Sequence, residues 1–262
     1  MKELGHIIVG RGSEPVIIMH EWLGDHSNYD LVLPYLNQKD FKWIFVDLRG
    51  YGLSKNIIGS YTCREAANDI VNLSNHLDLN SVHLVGHSMS AMVAQRIAVD
   101  KSALIKSLVL VTPVPASGVK LTPEEEEKIE KGIIDDTVTM EAIDARTGNR
   151  YNSTWLKAKL SLARRASTVE ARAGYLEMFL HTDFGQDMVG LEIPVRVIVG
   201  EYDIPVFQKE HIQRLFSCWY ANLQIRKCRE SGHYPMLECP VFFASMLENF
   251  ISNKEVTVQV DS

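Results

Sequence analysis

Val82-His83-Leu84-Val85 is an apolar run of strand length, and Met89, Met92, Val93 and Ile97 follow at helical spacing. Between them stand Gly86-His87-Ser88-Met89-Ser90. A chain that passes from strand to helix within five residues needs a tight turn with strained backbone at its centre. Such a turn lifts Ser88 Oγ out of the sheet and sets it at the positive end of the helix. Small residues must flank the serine, because the strand and helix backbones nearly touch. Gly86 meets that need, and Ser90 stands where the usual pattern has a second glycine. The five residues alone fit a plain strand–turn–helix with an incidental serine, so the rest of the chain must decide.

The flanking sequence repeats the strand–helix rhythm. Pro15–His20 and Trp43–Asp47 read as buried strands. Apolar residues at helical spacing predict a helix over Asn28–Leu36. Thr62 and Glu65 form a capping box that opens a helix carrying Ala66, Ala67, Ile70, Leu73 and Leu77 on one face. Ile105–Val114 reads as a further strand, ended by Pro113 and Pro115. Strands alternating with helices of this length imply a parallel sheet with right-handed crossovers.

From Pro115 to Leu191 the rhythm changes to helices alone, over Glu124–Ile134, Met140–Arg146, Ser153–Ala166 and Val169–Leu180, the first opened by a capping box at Thr122. The expected organisation is a core of residues 1–114 and 192–262, with 115–191 as a helical cap over one end of the sheet. Sheet pattern resumes at Val195–Gly200 and Leu223–Arg226. A last helix, Pro240–Ser252, is expected to bury Phe242, Phe243, Met246, Phe250 and Ile251; Lys254–Ser262 reads as a loose tail.

A serine needs a base to become a nucleophile. Of nine histidines, His83 lies in a strand, His76 and His211 on helices, His181 in the insertion and His6 near the start. His87 adjoins the serine but is expected to point elsewhere. His233 sits in Ser231-Gly232-His233-Tyr234-Pro235, a loop after the last strand, and loops at the carboxyl ends of parallel strands gather over one face. The base in turn needs a carboxylate to fix its tautomer. Gly200-Glu201-Tyr202-Asp203 offers two, and Asp203, deeper in the loop, is preferred to Glu201. The plain alternative for Asp203 is a helix N-cap.

The order Ser88, Asp203, His233 is that of the α/β-hydrolases. The chain resembles that superfamily along nearly its whole length, through Ile18-Met19-His20-Glu21-Trp22, Asp47-Leu48-Arg49-Gly50-Tyr51-Gly52-Leu53-Ser54, Gly86–Ser90, Gly200–Asp203 and Gly232-His233. The resemblance implies an eight-stranded, mostly parallel sheet flanked by helices, with a helical cap inserted after the sixth strand. It implies an oxyanion hole of two backbone N–H groups, Met89 after the nucleophile and Trp22 after the His20 strand. The chain departs from the family where Glu21 replaces the glycine of a His-Gly pair. A carboxylate beside a developing oxyanion is costly, so Glu21 is expected to point away and to pair with an arginine such as Arg49.

Capped, cofactor-free members of the superfamily include esterases, enol-lactonases, C–C bond hydrolases and serine haloperoxidase-like enzymes, whereas its dehalogenases and epoxide hydrolases use aspartate where Ser88 stands. The expected chemistry is therefore cleavage of an ester or lactone through an acyl-serine. C–C cleavage of a 1,3-diketone or vinylogous diketone is the alternative, and a ligand receptor of the same fold the second. Trp155, Tyr175, Met178 and Phe179 of the cap are candidate pocket walls, with core packing of the cap as their plain reading. An apolar pocket favours an uncharged, small to medium substrate.

A net charge of −6 argues against nucleic acid or anionic membrane as partner. No run approaches the ~20 apolar residues of a membrane span, and the first residues lack a signal-peptide core. Cys63, Cys218, Cys228 and Cys239 have no C-x-x-C spacing and read as reduced thiols of a cytoplasmic protein. Neither metal nor organic cofactor is expected, since H-E-x-x-H and a G-x-G-x-x-G after a strand are both missing.

Overall fold

The computed structural model describes residues 2–252; the expected tail lies outside the described residues. Seven strands form one sheet: β1 (His6–Val9), β2 (Glu14–Met19), β3 (Phe41–Val46), β4 (Val82–His87), β5 (Ile105–Val111), β6 (Val195–Gly200) and β7 (Leu223–Cys228). Their order across the sheet is β1-β3-β2-β4-β5-β6-β7. Only β1 is antiparallel to its neighbour. The central strands are continuous apolar runs because both faces of the sheet are covered; Val16–Met19, Leu84, Val85 and Leu108–Val111 are all buried. Among the described residues the sheet has one strand fewer than the resemblance implies. Residues 2–5, ahead of β1, form no ladder, and the Gly5 carbonyl instead accepts the Asp47 N–H.

Helices α1 (Cys63–His76) and α2 (Met89–Asp100) pack against each other beside β4. Thr62 caps α1 through the Glu65 N–H, but the box is half made. The Glu65 carboxylate takes the N–H of Tyr61, a left-handed residue at φ 54°, in place of that of Thr62. The helix expected over Asn28–Leu36 is two 3-10 turns, His26–Tyr29 and Leu33–Tyr35. Pro34 supplies no N–H there, and Leu31 and Tyr35 are exposed.

Four helices lie between β5 and β6: α3 (Pro123–Lys131), α4 (Asp136–Arg146), α5 (Ser153–Ala166) and α6 (Val169–His181). The Thr122 box is complete. Together they form the helical insertion. It is joined to the core loops at several points: Thr168 N–H donates to Gly50 O, His233 N–H to Arg146 O, and Trp22 Nε1 to Arg172 O. The chain closes with α7 (Lys209–Phe216), α8 (Pro235–Glu238) and α9 (Pro240–Ile251). On α9, Phe243, Phe250 and Ile251 are buried as expected, Met246 is half-buried and Phe242 is exposed. Phe242 falls on the solvent face of the helix together with Val241 and Ser245, which are also exposed.

Candidate active site

Residue Ser88 has φ 51° and ψ −111°, a backbone conformation that costs a non-glycine residue about 1–3 kcal/mol. Two features hold it there. The Ser88 N–H continues the sheet by donating to Val111 O, and its carbonyl accepts from Ala91 and Val114. Strand and helix are in contact at Gly86, where a Cβ would lie 2.6 Å from Ser90 O and 2.7 Å from Ala91 Cα. The Ser90 hydroxyl accepts the His87 N–H at 2.9 Å and reaches Met19 O on β2 at 3.1 Å. Serine in place of the usual glycine thus ties the turn to the neighbouring strand. The Ser88 side chain makes no cap hydrogen bond to α2 and lines a cavity of about 70 Å³.

The loop after β6 brings Asp203 to His233. Asp203 Oδ2 lies 2.6 Å from His233 Nδ1, and its other oxygen accepts the Ile204 N–H at 2.8 Å. Both residues are buried. The contact depends on glycine, since a Cβ on Gly200 would lie 1.9 Å from Gly232 O. Glu201 lies elsewhere and accepts from the Glu230 N–H. Asp203 is not a helix cap; Ile204 holds that position for the turn Pro205–Phe207.

Three partners fix the backbone of His233. Its N–H donates to Arg146 O at 2.9 Å, and its carbonyl accepts from His87 Nε2 at 2.8 Å and Thr112 Oγ1 at 3.2 Å. Burial, with the neighbouring His233, pushes the His87 imidazole down to about 3, so it stays neutral. His87 therefore points away from Ser88 yet holds the loop that carries His233. The place of His87 beside the serine gives no sign of this bond in the sequence.

The N–H groups of Trp22 and Met89 have no hydrogen-bond acceptor among the described residues. The rest of Trp22 is occupied: its carbonyl accepts from Tyr51 Oη, and its ring meets Phe179 edge-on.

Glu21 is buried and does not pair with Arg49, which is held by Asp69 and Glu65. Its carboxylate accepts from Lys159 Nζ of α5 at 2.8 Å, from Asn28 Nδ2 at 3.1 Å and from the Leu23 N–H. Lys159 also donates to Leu23 O at 2.7 Å and lies over the Tyr234 ring. Burial alone would raise the Glu21 carboxyl; Lys159, His87 and the Leu23 N–H overcome it and hold it at about 2. At Lys159 burial outweighs the pull of Glu21 and the ammonium lies below its ordinary value. Desolvation thus wins at the amine and loses at the carboxylate. With three donors converging on Glu21, the pair stands as ions.

Of the four cap candidates, Phe179 lines the cavity, and Trp155, Tyr175 and Met178 do not. Trp155 stacks on Tyr151, Tyr175 is buried between Tyr51 and Tyr61, and Met178 is buried in the core. Their apolar surface serves packing, the plain reading of helical aromatics. The remaining wall includes Val114, Val119, Leu121, Ile204, Phe207 and Tyr234. Among the described residues no three His, Cys, Asp or Glu side chains are grouped to hold a metal ion. No described helix is long and apolar enough to cross a membrane.

Residues 14–238 match the family profile described as alpha/beta hydrolase fold. The chain is 26% identical over 209 residues to a non-heme chloroperoxidase of Kitasatospora aureofaciens, covering 74% of this chain and 75% of that protein. Among solved structures it is similar to an esterase from Exiguobacterium antarcticum, with TM-score 0.84, 19% identity and 95% of each chain covered. It is also similar to the enol-lactonase from Burkholderia xenovorans, with TM-score 0.80, 20% identity and 95% and 96% coverage.

Proposed function

Because the chain belongs to the alpha/beta hydrolase family, we propose that it is a serine hydrolase that cleaves a carboxylic ester or lactone. The observation that carries this reading is one cavity shared by Ser88, in a strained turn, and His233, bonded through Nδ1 to buried Asp203. In the first half-reaction Ser88 Oγ attacks the carbonyl carbon and its proton passes to His233 Nε2. Asp203 keeps the Nδ1–H tautomer and stabilises the imidazolium. The N–H groups of Trp22 and Met89 receive the oxyanion, at a helix end whose dipole favours negative charge. The C–O bond breaks, and the alcohol leaves with the proton from His233. Water then adds to the acyl-serine by the same route in reverse, releasing the acid and restoring Ser88.

Residues 115–191 act as the cap that sets the substrate. A cavity of about 70 Å³ favours short acyl groups. Turnover of a short-chain ester that is lost in Ser88→Ala tests the reading. Lactones and vinylogous diketones belong in the same panel. Binding without turnover of any of them would turn the assignment toward a receptor of the same fold.

A further inference from the structure

The cavity carries one polar feature that acyl transfer leaves unused. Arg146, the last residue of α4, lines it, and its guanidinium makes a single long bond, Nη1 to Ala142 O at 3.3 Å. Among the described residues it has no carboxylate partner. Arg150 meets Glu238 at 2.8 Å and Arg164 meets Asp136 at 2.7 Å, while Arg172, which also lacks a carboxylate, is held by Ser167 and Ile133 O and lies outside the cavity wall. Beside Arg146 the cavity is lined by Tyr234, a fully buried side chain whose hydroxyl has no hydrogen-bond partner among the described residues. Glu21, the acidic residue of the wall, is already neutralised by Lys159. Among the described residues the wall therefore includes one arginine with no acidic partner and one tyrosine hydroxyl with no protein hydrogen bond, beside Ser88 and His233.

Resting on the hydrolase reading, we infer that the substrate carries a carboxylate a short chain away from the scissile carbonyl, bound by Arg146 with the Tyr234 hydroxyl. Monoesters of short dicarboxylic acids, or lactones bearing a carboxylate, fit this description. The uncharged substrate expected of an apolar pocket gives way to an anionic one. Planar guanidinium matches a carboxylate, and a hydrogen bond to a charged group is about twice as strong as a neutral one. The distance from the anion to the ester is set by the backbone. Arg146 O holds the His233 N–H, and Gly232 approaches Arg146 O so closely that a Cβ would lie 2.2 Å from it. The Arg146 backbone is therefore fixed relative to the base. A purely structural Arg146 would complement the C-terminal dipole of α4 and would not sort substrates by charge.

The test has a binding arm and a turnover arm. In the binding arm, calorimetry on Ser88→Ala compares monomethyl glutarate with dimethyl glutarate. The monoanion should bind at least about 10-fold more tightly, and adding Arg146→Gln should erase that preference. Tyr234→Phe should reduce it, and Arg146→Lys should restore part of it. In the turnover arm, ester cleavage of the same pair by the wild-type protein is followed by NMR. The ratio of kcat/KM should favour the monoester and collapse in Arg146→Gln. Equal binding of the two esters, tighter binding of the diester, or no binding of either overturns the inference. If neither ester is cleaved but the charge preference in binding stands, the fault lies with the hydrolase reading. If both are cleaved at one ratio in wild type and Arg146→Gln, the hydrolase reading stands and the carboxylate site falls.

Discussion

The turn around Ser88 is held by its own neighbours, whereas the loop from Glu21 to Leu23 is held by a side chain 138 residues away. Both line the same cavity. At the turn, Gly86, Ser90 and the start of α2 fix the backbone through contacts spanning a few residues, with ties to Met19, Val111 and Val114 on the neighbouring strands and the loop after them. At the loop, the family's glycine is replaced by a buried carboxylate. The backbone that offers the Trp22 N–H is clamped by Lys159 through Glu21 and Leu23 O. The first arrangement stores strain locally. The second makes the proposed oxyanion site depend on the cap being in place, so the cap supplies structure to the chemistry as well as wall to the pocket.

Breaking the local side should have the larger effect on activity. Ser88→Ala should lower kcat by about 10⁴-fold or more with the fold intact by circular dichroism. Adding His233→Ala should cost little beyond that, because the members of such a unit are not additive. Two losses that multiply would mean that the residues act separately.

Breaking the distant side should show first in stability. Lys159→Met leaves Glu21 buried without its cation, and urea denaturation should report a loss of about 3–5 kcal/mol. Removing both charges, as Glu21→Gln with Lys159→Met, should recover most of it, since a buried pair gains little over an uncharged replacement. A double variant as unstable as the single one would show that Lys159 acts through Leu23 O alone.

Acid sharpens the same contrast. The folded state holds the Glu21 carboxyl down from 4.5 to about 2. The unfolded chain therefore takes up this proton first as pH falls. The stabilisation is complete above the unfolded value and is lost as pH drops from about 5 toward 2. Urea midpoints measured across that range should fall more steeply for the wild type than for the doubly uncharged variant. Parallel curves would remove Glu21 from the acid response.

The smallest effect is expected at the turn itself. Ser90→Gly restores the usual pattern but deletes the hydroxyl that bonds the His87 N–H and Met19 O. A loss of about 1 kcal/mol, with kcat/KM changed by only a few-fold, is the expected outcome in denaturation and kinetics.

These two regions also explain what could be read from the sequence. Elements set by local pattern were legible: α5 and β6 run over the expected residues, and the Thr122 box is complete. The pairing of Asp203 with His233 followed from chain order and from the convergence of loops at strand ends. Contacts chosen by tertiary packing were not legible. Nothing near Glu21 pointed to Lys159 on a distant helix, and Arg49, the expected partner, was drawn to Asp69 and Glu65. Helical spacing marked Trp155, Tyr175 and Met178 as apolar without saying which apolar surface they meet. Arg146 looked like any charged residue at a helix end; only its place in the wall, without an acidic partner, sets it apart.

The central claim is that Ser88 carries the acyl group. It is tested most directly by intact-protein mass spectrometry after brief reaction with an activated short-chain ester, quenched in acid and followed by peptide mapping. The account predicts one acyl group per chain, on the peptide containing Ser88, and none on Ser88→Ala. An unmodified protein that still turns the ester over, an adduct on another residue, or full turnover by Ser88→Ala would contradict it.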